Sequence, residues 1–406
     1  MKIAVIQSGN SGFFPRYYTA VCEAAEKHGD DVRLFVPNSG RNKRCVLPHQ
    51  TIWGSRFNWF LHYQLYKLTG VQDVFSLVET LALLAKLKTY KPDVLYFNVI
   101  NDKMLHIPLF FTWIARTGIP VVWTMHDCRA FTGQCPYFDE VGCKRWKSGC
   151  GNCPVCEAWI DNTHLTWKIR NRFSTRLKHL LVVTPSEWLA GFVRESFFGK
   201  FPVKTIYNGV DTQRFSAKVD MGIITEYGIP QDKKIVLGCA INWENRKGLR
   251  YFEELAAILP ETYQIVLVGG VKEEDLARVK SKGIICTGRT KSFEAMVALY
   301  QSASVFCNPT MADNFPTVNI EALAAGTPVV TFNTGGSPEA IDEHTGVVVA
   351  QGDMNGLRDA IIQVVENRDL YTSESCMKRS ANFSNRQYDR YVELLHRTIE
   401  ASVPDC

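Results

Sequence analysis

Residues 308–330 read NPTMADNFPTVNIEALAAGTPVV, and this stretch decides how the second half of the chain is interpreted. An apolar strand ends near Pro309, a polar loop follows, and a short helix is predicted to begin at Pro316 or Thr317. Gly326 suits the end of that helix, because glycine readily adopts the left-handed conformation that follows helices. The stretch therefore predicts a strand, loop, helix and strand of a parallel α/β sheet.

The same alternation runs through the rest of the chain. Residues 2–8 form a short apolar run that ends at a glycine-bearing loop, and residues 233–238 repeat that pattern. We therefore expect two Rossmann-like halves, each with a parallel sheet. The predicted strands are 2–8, 31–36, 94–99, 120–124 and 180–184, then 233–238, 265–269, 283–288, 305–309, 328–332 and 346–349. The predicted helices include 16–28, 74–88, 249–258, 293–303 and 385–399.

Length and composition agree with two domains. The chain has 406 residues, which is too many for one ordinary core. The turn at Asn208-Gly209 marks a boundary, so we predict domains at 1–208 and 209–384. Residues 385–406 are predicted to carry a helix that packs back on the first domain.

The bulk properties exclude several classes of protein. With 46% apolar and 21% charged residues the chain is globular, and a net charge of +5 is too mild to indicate a nucleic-acid binder. The apolar start leads directly into a turn and is interpreted as a strand, not as a signal peptide. Residues 104–123 are interrupted by His106, Arg116 and two prolines, so they make a poor spanning helix. We expect a cytoplasmic protein.

The loop and helix in residues 309–325 carry two acids eight positions apart, Asp313 and Glu321. Backbone amides at the start of a helix bind phosphate oxygens, because they are unpaired donors at the positive end of the helix dipole. Asp313 can reach sugar hydroxyls, and Glu321 can accept from both hydroxyls of a ribose. The alternative is that both are solvated charges without a ligand.

This arrangement resembles the E-x7-E signature of family 4 glycosyltransferases, which are retaining enzymes of the GT-B fold. That fold has two Rossmann-like domains facing each other across a cleft. Asp313 stands where the family has a glutamate, so its side chain is one methylene shorter. The resemblance implies a catalytic role for Asp313 and donor contacts from Asn314, Phe315, Pro316, Thr317 and Glu321.

Residues 242–248, NWENRKG, follow the first strand of the second half. Arg246 and Lys247 then lie at the carboxyl end of a parallel strand, where they can neutralise a departing diphosphate. The family has an arginine about five positions before this lysine; here that position is Asn242, so Arg246 is the substitute candidate. The bland alternative is an exposed basic turn. The resemblance also implies donor contacts from Gly12, Gly269 and Arg289.

His126 follows the predicted strand 120–124, and the resemblance places it near the anomeric carbon of the donor sugar. A buried structural histidine is the alternative. Six cysteines follow between positions 128 and 156. We predict a loop braced by structural zinc, with an iron–sulfur cluster or unligated thiols as alternatives. The preferred ligands are Cys135, Cys143, Cys150 and Cys153. Residues 126–135, HDCRAFTGQC, resemble the colanic-acid subgroup of the family.

Residues 51–75 are rich in aromatic side chains with cations between them. They predict either a packed helix or a surface that contacts acceptor or membrane.

Together, the residues and the resemblance predict a retaining transferase. It would move a sugar from a UDP- or GDP-sugar to a saccharide or lipid-linked saccharide in bacterial surface polysaccharide synthesis. We expect no catalytic metal and no nucleic-acid partner. We do expect peripheral contact with the inner membrane face. The alternatives are a noncatalytic metal- or nucleic-acid-binding protein, or another enzyme of the same fold such as a nucleotide-sugar epimerase.

Overall fold

The computed structural model describes residues 1–10, 12–100 and 103–402, which form two parallel β-sheets flanked by helices. The strands are β1 (Lys2–Ile6), β2 (Asp31–Pro37), β3 (Gln50–Trp53), β4 (Val94–Phe97), β5 (Val121–Thr124), β6 (Leu180–Thr184), β7 (Val203–Thr205), β8 (Lys234–Asn242), β9 (Tyr263–Gly270), β10 (Ile285–Gly288), β11 (Val305–Asn308), β12 (Val329–Phe332) and β13 (Gly346–Val349).

The helices alternate with these strands. They are α1 (Phe14–Lys27), α2 (Gly40–Arg44), α3 (Arg56–Thr69), α4 (Leu77–Tyr90), α5 (Ile107–Thr117), α6 (Thr163–Ser174), α7 (Glu187–Glu195), α8 (Thr212–Ser216), α9 (Leu249–Ile258), α10 (Glu273–Lys280), α11 (Phe293–Ser302), α12 (Thr317–Ala324), α13 (Met354–Glu366), α14 (Ser373–Ser380) and α15 (Arg386–Glu400). No helix in the described part of the chain is long and apolar enough to cross a membrane.

The order of strands is the same around the centre of each sheet. The first sheet runs β3-β2-β1-β4-β5-β6-β7 and the second runs β10-β9-β8-β11-β12-β13. All of these pairings are parallel, so Ile3 lies beside Val32 on one side and Val94 on the other. In both sheets the order of strands along the chain reverses next to the first strand, and ligands of such sheets bind beyond the carboxyl ends of the strands at that point. The expectation of two Rossmann-like domains is confirmed.

The central strands form where the sequence is continuously apolar. β4, β5, β6, β11 and β12 are buried along their whole length, as strands covered by helices on both faces must be. β3 and β7 were not predicted. They are short edge strands with half-buried residues, and edge strands lack a long apolar run.

The chain divides into two compact units. The first contains Met1–Tyr207 and the residues from Arg386 onward, and the second contains Asn208–Asn385. In the first unit, α15 packs on α1: the rings of Tyr388 and Tyr391 lie 5.3 and 5.6 Å from that of Tyr17. His396 Nε2 also contacts Asp30 Oδ2 at 2.9 Å.

Helix α3 occupies most of the aromatic stretch 51–75, but few of its side chains are packed. Its fully buried residues are His62 and Tyr66, whereas Phe57 is 71% exposed and Phe60 is 54% exposed. A helix over this stretch was therefore a correct prediction, but a largely packed one was not.

Candidate active site

The loop between β11 and α12 is hydrogen-bonded to the turn that follows β8. The Arg246 guanidinium donates a hydrogen bond to the carbonyl oxygen of Ala312 at 2.7 Å, and the Met311 amide donates to the Arg246 carbonyl at 2.8 Å. Arg246 was predicted as a diphosphate ligand. The structure gives it a second task, which is to fix the backbone that carries Asp313.

Glycines allow other backbone segments to approach this loop. Gly335 has φ +56°, and a Cβ at this position would lie 1.7 Å from the Asp313 carbonyl oxygen. Gly248 has φ +82°, and a Cβ there would lie 2.2 Å from the Pro309 carbonyl oxygen. Both positions therefore require glycine, and the loop is held between two close backbone contacts.

Lys247 and Asp313 form an ion pair in the second unit. The Lys247 Nζ atom lies 2.5 Å from Asp313 Oδ2, and the two side chains are 25% and 16% exposed. Lys247 ends a short 3-10 turn after β8, and Asp313 lies in the loop after β11. β8 and β11 are neighbours in the sheet, so their carboxyl ends bring the two charges together.

Glu321 projects from the second turn of α12 and is almost fully buried. Its Oε2 accepts a hydrogen bond from the Tyr300 hydroxyl at 2.9 Å, and its Oε1 lies 3.5 Å from Thr317 Oγ1. Burial raises the pKa of the Cys239 thiol to about 12, the charge of Glu321 also raises it, and the charge of Lys247 lowers it. Lys247, Asp313 and Glu321 are thus gathered around the end of β8.

A buried polar network fixes α12 against the sheet. The Asn308 side chain donates to Asn319 Oδ1 at 2.7 Å, and Asn319 Nδ2 donates to Ser337 Oγ at 3.1 Å. These amides have little room to move, because each is satisfied by the next. The start of α12 is therefore rigidly placed beneath the loop.

The other predicted donor residues fall into two groups. Asn314, Phe315 and Pro316 are buried, and the Phe315 ring packs 5.6 Å from that of Phe383, so their side chains support the loop. Thr317 is half-buried at the first position of α12, and Arg289 is exposed directly after β10.

Two glycines complete the predicted set. Gly269 has a structural reason to be glycine, since a Cβ there would lie 1.7 Å from the Ala240 carbonyl oxygen. Gly12 lies in the first unit with φ +62°, and a Cβ there would meet no atom within 4 Å. The space beside Gly12 is therefore open, whereas Gly269 allows β9 to pack closely on β8.

In the first unit, His126 follows β5 and contacts residues from two other strand ends. Its Nε2 donates to Asn98 Oδ1, and the Asn98 amide nitrogen donates to Gln7 Oε1 at 2.8 Å. Gln7 in turn donates to the Gly9 carbonyl oxygen at 2.8 Å. This chain of hydrogen bonds fixes the tautomer of His126 and connects it to the loop before α1.

Aromatic rings surround the imidazole of His126. Phe14 and Tyr17 lie edge-on at 5.3 and 5.4 Å between ring centroids. Burial against these rings desolvates the imidazole and lowers the pKa of His126 to about 3. His126 is therefore a neutral, oriented imidazole at physiological pH.

Sequence patterns did not identify Tyr300, Asn98 or Gln7. Tyr300 lies among apolar residues of α11, and nothing in its neighbourhood in the sequence points to Glu321. Gln7 and Asn98 could have been found, because each lies near the carboxyl end of a predicted strand, at the edge where ligands of parallel sheets bind.

The predicted zinc ligands also lie close together in the first unit. Cys135, Cys143, Cys150 and Cys153 line one small cavity, and the cysteines in the described part of the chain are all free thiols.

Two family models match this chain. "Glycosyltransferase Family 4" matches residues 15–214, and "Glycosyl transferases group 1" matches residues 232–367. Each match falls almost entirely within one of the two units.

Curated relatives carry transferase names. The putative colanic acid biosynthesis glycosyl transferase WcaC of Escherichia coli (strain K12) is 25% identical over 75% of this chain and 76% of its own length. The lipopolysaccharide core biosynthesis mannosyltransferase LpsB of Rhizobium meliloti (strain 1021) is 25% identical over 49% of this chain and 61% of its own length.

Solved structures share the fold across both units. Sucrose-phosphate synthase from Thermosynechococcus elongatus has a TM-score of 0.70 at 18% identity, covering 99% of this chain and 100% of that one. Anabaena Alr3699/HepE in complex with UDP has a TM-score of 0.69 at 15% identity, covering 98% and 99%.

The fold and these matches define an enzyme of the GT-B type, a glycosyltransferase built from two Rossmann-like domains. The chain belongs to the family 4 glycosyltransferases. This excludes the alternative of a noncatalytic binding protein.

Proposed function

We propose that this enzyme transfers a glycosyl group from a nucleoside diphosphate sugar to a saccharide acceptor, with retention of anomeric configuration, in the synthesis of a bacterial surface polysaccharide. The observation that carries this proposal is the gathering of Lys247, Asp313 and Glu321 around the end of β8. A cation, a sugar-binding carboxylate and a diol-binding carboxylate are the groups that such a donor requires.

Each of these groups has a distinct task. Glu321, oriented by Tyr300, accepts hydrogen bonds from the ribose hydroxyls. Lys247 and the amides at the start of α12 neutralise the negative charge that grows on the departing diphosphate. Asp313, on a loop braced by Arg246, binds hydroxyls of the transferred sugar. Because Lys247 supplies the positive charge, catalysis requires no divalent metal.

His126 is proposed to contact the donor sugar near its anomeric carbon. A neutral imidazole with a fixed tautomer suits a hydrogen bond to a sugar hydroxyl. In this mechanism a phosphate oxygen of the departing group takes the acceptor proton as the new glycosidic bond forms.

The names of related proteins support the proposed classes of donor and acceptor. Alr3699/HepE has been solved with UDP-glucose, which favours a UDP-sugar. A relative from Corynebacterium glutamicum is named a GDP-mannose-dependent mannosyltransferase, so a GDP-sugar remains in the proposed set. WcaC and LpsB are named for colanic acid and lipopolysaccharide core synthesis, which supports a saccharide or lipid-linked acceptor.

We also propose that the first unit makes peripheral contact with an anionic membrane, at the cytoplasmic face of the inner membrane. Helices α3 and α4 expose Phe57, Phe60 and Val78, each more than half exposed. The cations Arg56 and Lys86 are exposed on the same two helices. Apolar side chains beside cations are the composition of an interfacial surface.

Sedimentation with vesicles that contain anionic phospholipid tests this contact. The parent is expected to sediment with the vesicles, and the Phe57→Ser/Phe60→Ser double variant is expected to stay in solution. Leu370→Ser, which changes an exposed leucine in the second unit, is the matched control. Equal sedimentation of the parent and the double variant would reject the proposed surface.

A thermal-shift screen tests the donor. Ligand binding raises the melting temperature by mass action, so UDP, GDP and their sugars can be ranked directly. The best donor is then incubated with candidate acceptors, and the anomeric configuration of the product is read by NMR spectroscopy. Retention is expected. A product of inverted configuration would reject the proposed mechanism, and the absence of any shift with all nucleotide sugars would reject the donor class.

A further inference from the structure

The loop in residues 128–156 is long and has little regular structure. It contains three short 3-10 turns, at Cys128–Ala130, Asp139–Val141 and Arg145–Lys147. Loops of this length without secondary structure of their own are uncommon inside a compact domain. Six of the chain's thirteen cysteines lie in this loop.

Four of the six cysteines share one cavity. Cys135, Cys143, Cys150 and Cys153 line a space of about 20 Å³, whereas Cys128 and Cys156 do not line it. A space of that size holds a single atom or water molecule. The structure therefore separates the four predicted ligands from Cys128 and Cys156.

Two of these sulfurs accept hydrogen bonds from oriented donors. The Gly133 amide donates to Cys150 Sγ at 3.1 Å, and Gln134 Nε2 lies 3.5 Å from Cys153 Sγ. The orientation of the Gln134 amide is set from its other end, because Tyr66 donates to Gln134 Oε1 at 2.9 Å. Hydrogen bonds of this kind around a ligand atom fix its position and stabilise its charged form.

Glycine at position 133 is required for this approach. A Cβ there would lie 2.6 Å from atoms of Thr163 and 3.0 Å from the Cβ of Cys150. A larger residue would push the amide away from the sulfur, so the backbone around the cavity is shaped to reach Cys150.

From this cavity, its four sulfurs and their donors, we infer that Cys135, Cys143, Cys150 and Cys153 bind one Zn²⁺ as a tetrahedral tetrathiolate. Zinc bonds to four thiolates at about 2.3 Å, so the sulfurs would lie about 3.8 Å apart. Four thiols lose their protons to solvent as the four Zn–S bonds form, and no oxidation occurs.

The four loop sulfurs must move closer together to bind one Zn²⁺. Among the described residues, the group of three ligand atoms that lie within 4.8 Å of one another is Cys22, Glu26 and His49, not the loop cysteines. That group is explained by hydrogen bonds: Cys22 Sγ lies 3.4 Å and His49 Nε2 lies 3.1 Å from Glu26 Oε1. The loop site has four soft ligands of one kind, which zinc prefers.

The metal would brace the loop that leads away from His126. The loop is attached to α6, where His164 Nδ1 contacts the Cys150 carbonyl oxygen at 2.9 Å and the Trp167 indole donates to the Trp146 carbonyl oxygen at 2.9 Å. The role of the zinc would be structural, because protein sulfurs would fill all four of its coordination positions.

Elemental analysis of the full-length protein, purified without chelator, tests the site. About one equivalent of zinc is expected in the parent. Cys153→Ser is expected to lose most of it, and Cys156→Ser, three residues further along but outside the cavity, is expected to keep it. Less than about 0.1 equivalent of zinc in the parent, iron in its place, or equal loss from both variants would overturn the inference.

A second measurement covers the case in which Cys153→Ser does not fold. The parent is expressed with Co²⁺ in place of zinc, and its absorption spectrum is recorded. A tetrahedral tetrathiolate site is expected to give intense visible bands together with sulfur-to-metal charge-transfer bands. The weak spectrum of octahedral Co²⁺ would contradict the proposed ligands.

Discussion

Lys247 Nζ lies 2.5 Å from Asp313 Oδ2, so the cation assigned to the diphosphate is held by the carboxylate assigned to the sugar. The pair holds the Lys247 ammonium beside the loop that carries Asp313. It also means that neither charge acts alone, because a change at one residue alters the position of the other.

Lys247→Ala is expected to lower kcat by about 100-fold to 1,000-fold, since it removes a preorganised positive charge from the leaving group. Steady-state kinetics with the donor identified by the thermal-shift screen measures this. Lys234→Ala is the matched control, because Lys234 begins β8 at the opposite end and also pairs with a carboxylate, that of Glu366. A loss below about threefold, or an equal loss in both variants, would remove Lys247 from the mechanism.

Asp313→Glu restores the residue that the family signature carries, and it is expected to retain activity within about tenfold of the parent. Asp313→Asn removes the charge and the partner of Lys247, so a loss of at least about 100-fold is expected. The kcat values of the two variants show whether activity depends on the negative charge at position 313 or on the length of its side chain. If glutamate is as damaging as asparagine, the shorter side chain is a specific requirement of this site.

Loss of the buried ion pair of Arg170 and Asp73 should strongly lower the free energy of unfolding of the first unit. Arg170 Nε lies 2.6 Å from Asp73 Oδ2, both side chains are less than 5% exposed, and Arg170 also donates to the Thr132 carbonyl oxygen at 2.9 Å. Arg170→Leu leaves a buried carboxylate without its cation, which costs about 3–5 kcal/mol in such pairs. Urea unfolding measures this, and the exposed Arg172→Ala is expected to change stability by less than about 0.5 kcal/mol. Similar unfolding midpoints for the two variants would contradict the prediction.

The low pKa of His126 has a consequence for stability. Its folded pKa of about 3 is below the unfolded value of about 6.5, so the unfolded state binds a proton first as the pH falls. This contribution is absent above about pH 6.5 and destabilises the fold increasingly from there down to about pH 3. His126→Gln should therefore lose less stability than the parent between pH 7 and pH 5 in urea unfolding. An identical loss in both proteins would show that His126 titrates normally.

Much of the fold was predictable because its central strands are continuously apolar and its helices alternate with them. The edge strands β3 and β7 carry no such signal. Lys247, Asp313 and Glu321 could be chosen from their positions at strand ends and on a helix together with the resemblance to the family signature. The contact of Tyr300 with Glu321 could not, because Tyr300 lies among apolar residues of α11 and nothing near it in the sequence points to that carboxylate. The exposure of Phe57 and Phe60 also depends on which face of α3 the rest of the unit covers.

Tyr300→Phe tests whether the buried hydroxyl positions Glu321. The substitution removes one hydrogen bond to a carboxylate, so nucleotide affinity is expected to fall about fivefold to tenfold while the fold is kept. Calorimetric titration measures the affinity, and Tyr227→Phe, a tyrosine elsewhere in the same unit, is the control. Unchanged affinity would mean that Glu321 is held sufficiently by its other contacts.

Isothermal titration calorimetry of UDP and GDP with the parent, Glu321→Ala and the exposed control Glu366→Gln tests the donor site most directly. One nucleotide is expected to bind the parent and the control equally, and to bind Glu321→Ala at least about tenfold more weakly, with the variant still folded. Binding to Glu321→Ala as tight as to the parent would contradict the assignment of the donor site to the loop and helix that carry Asp313 and Glu321.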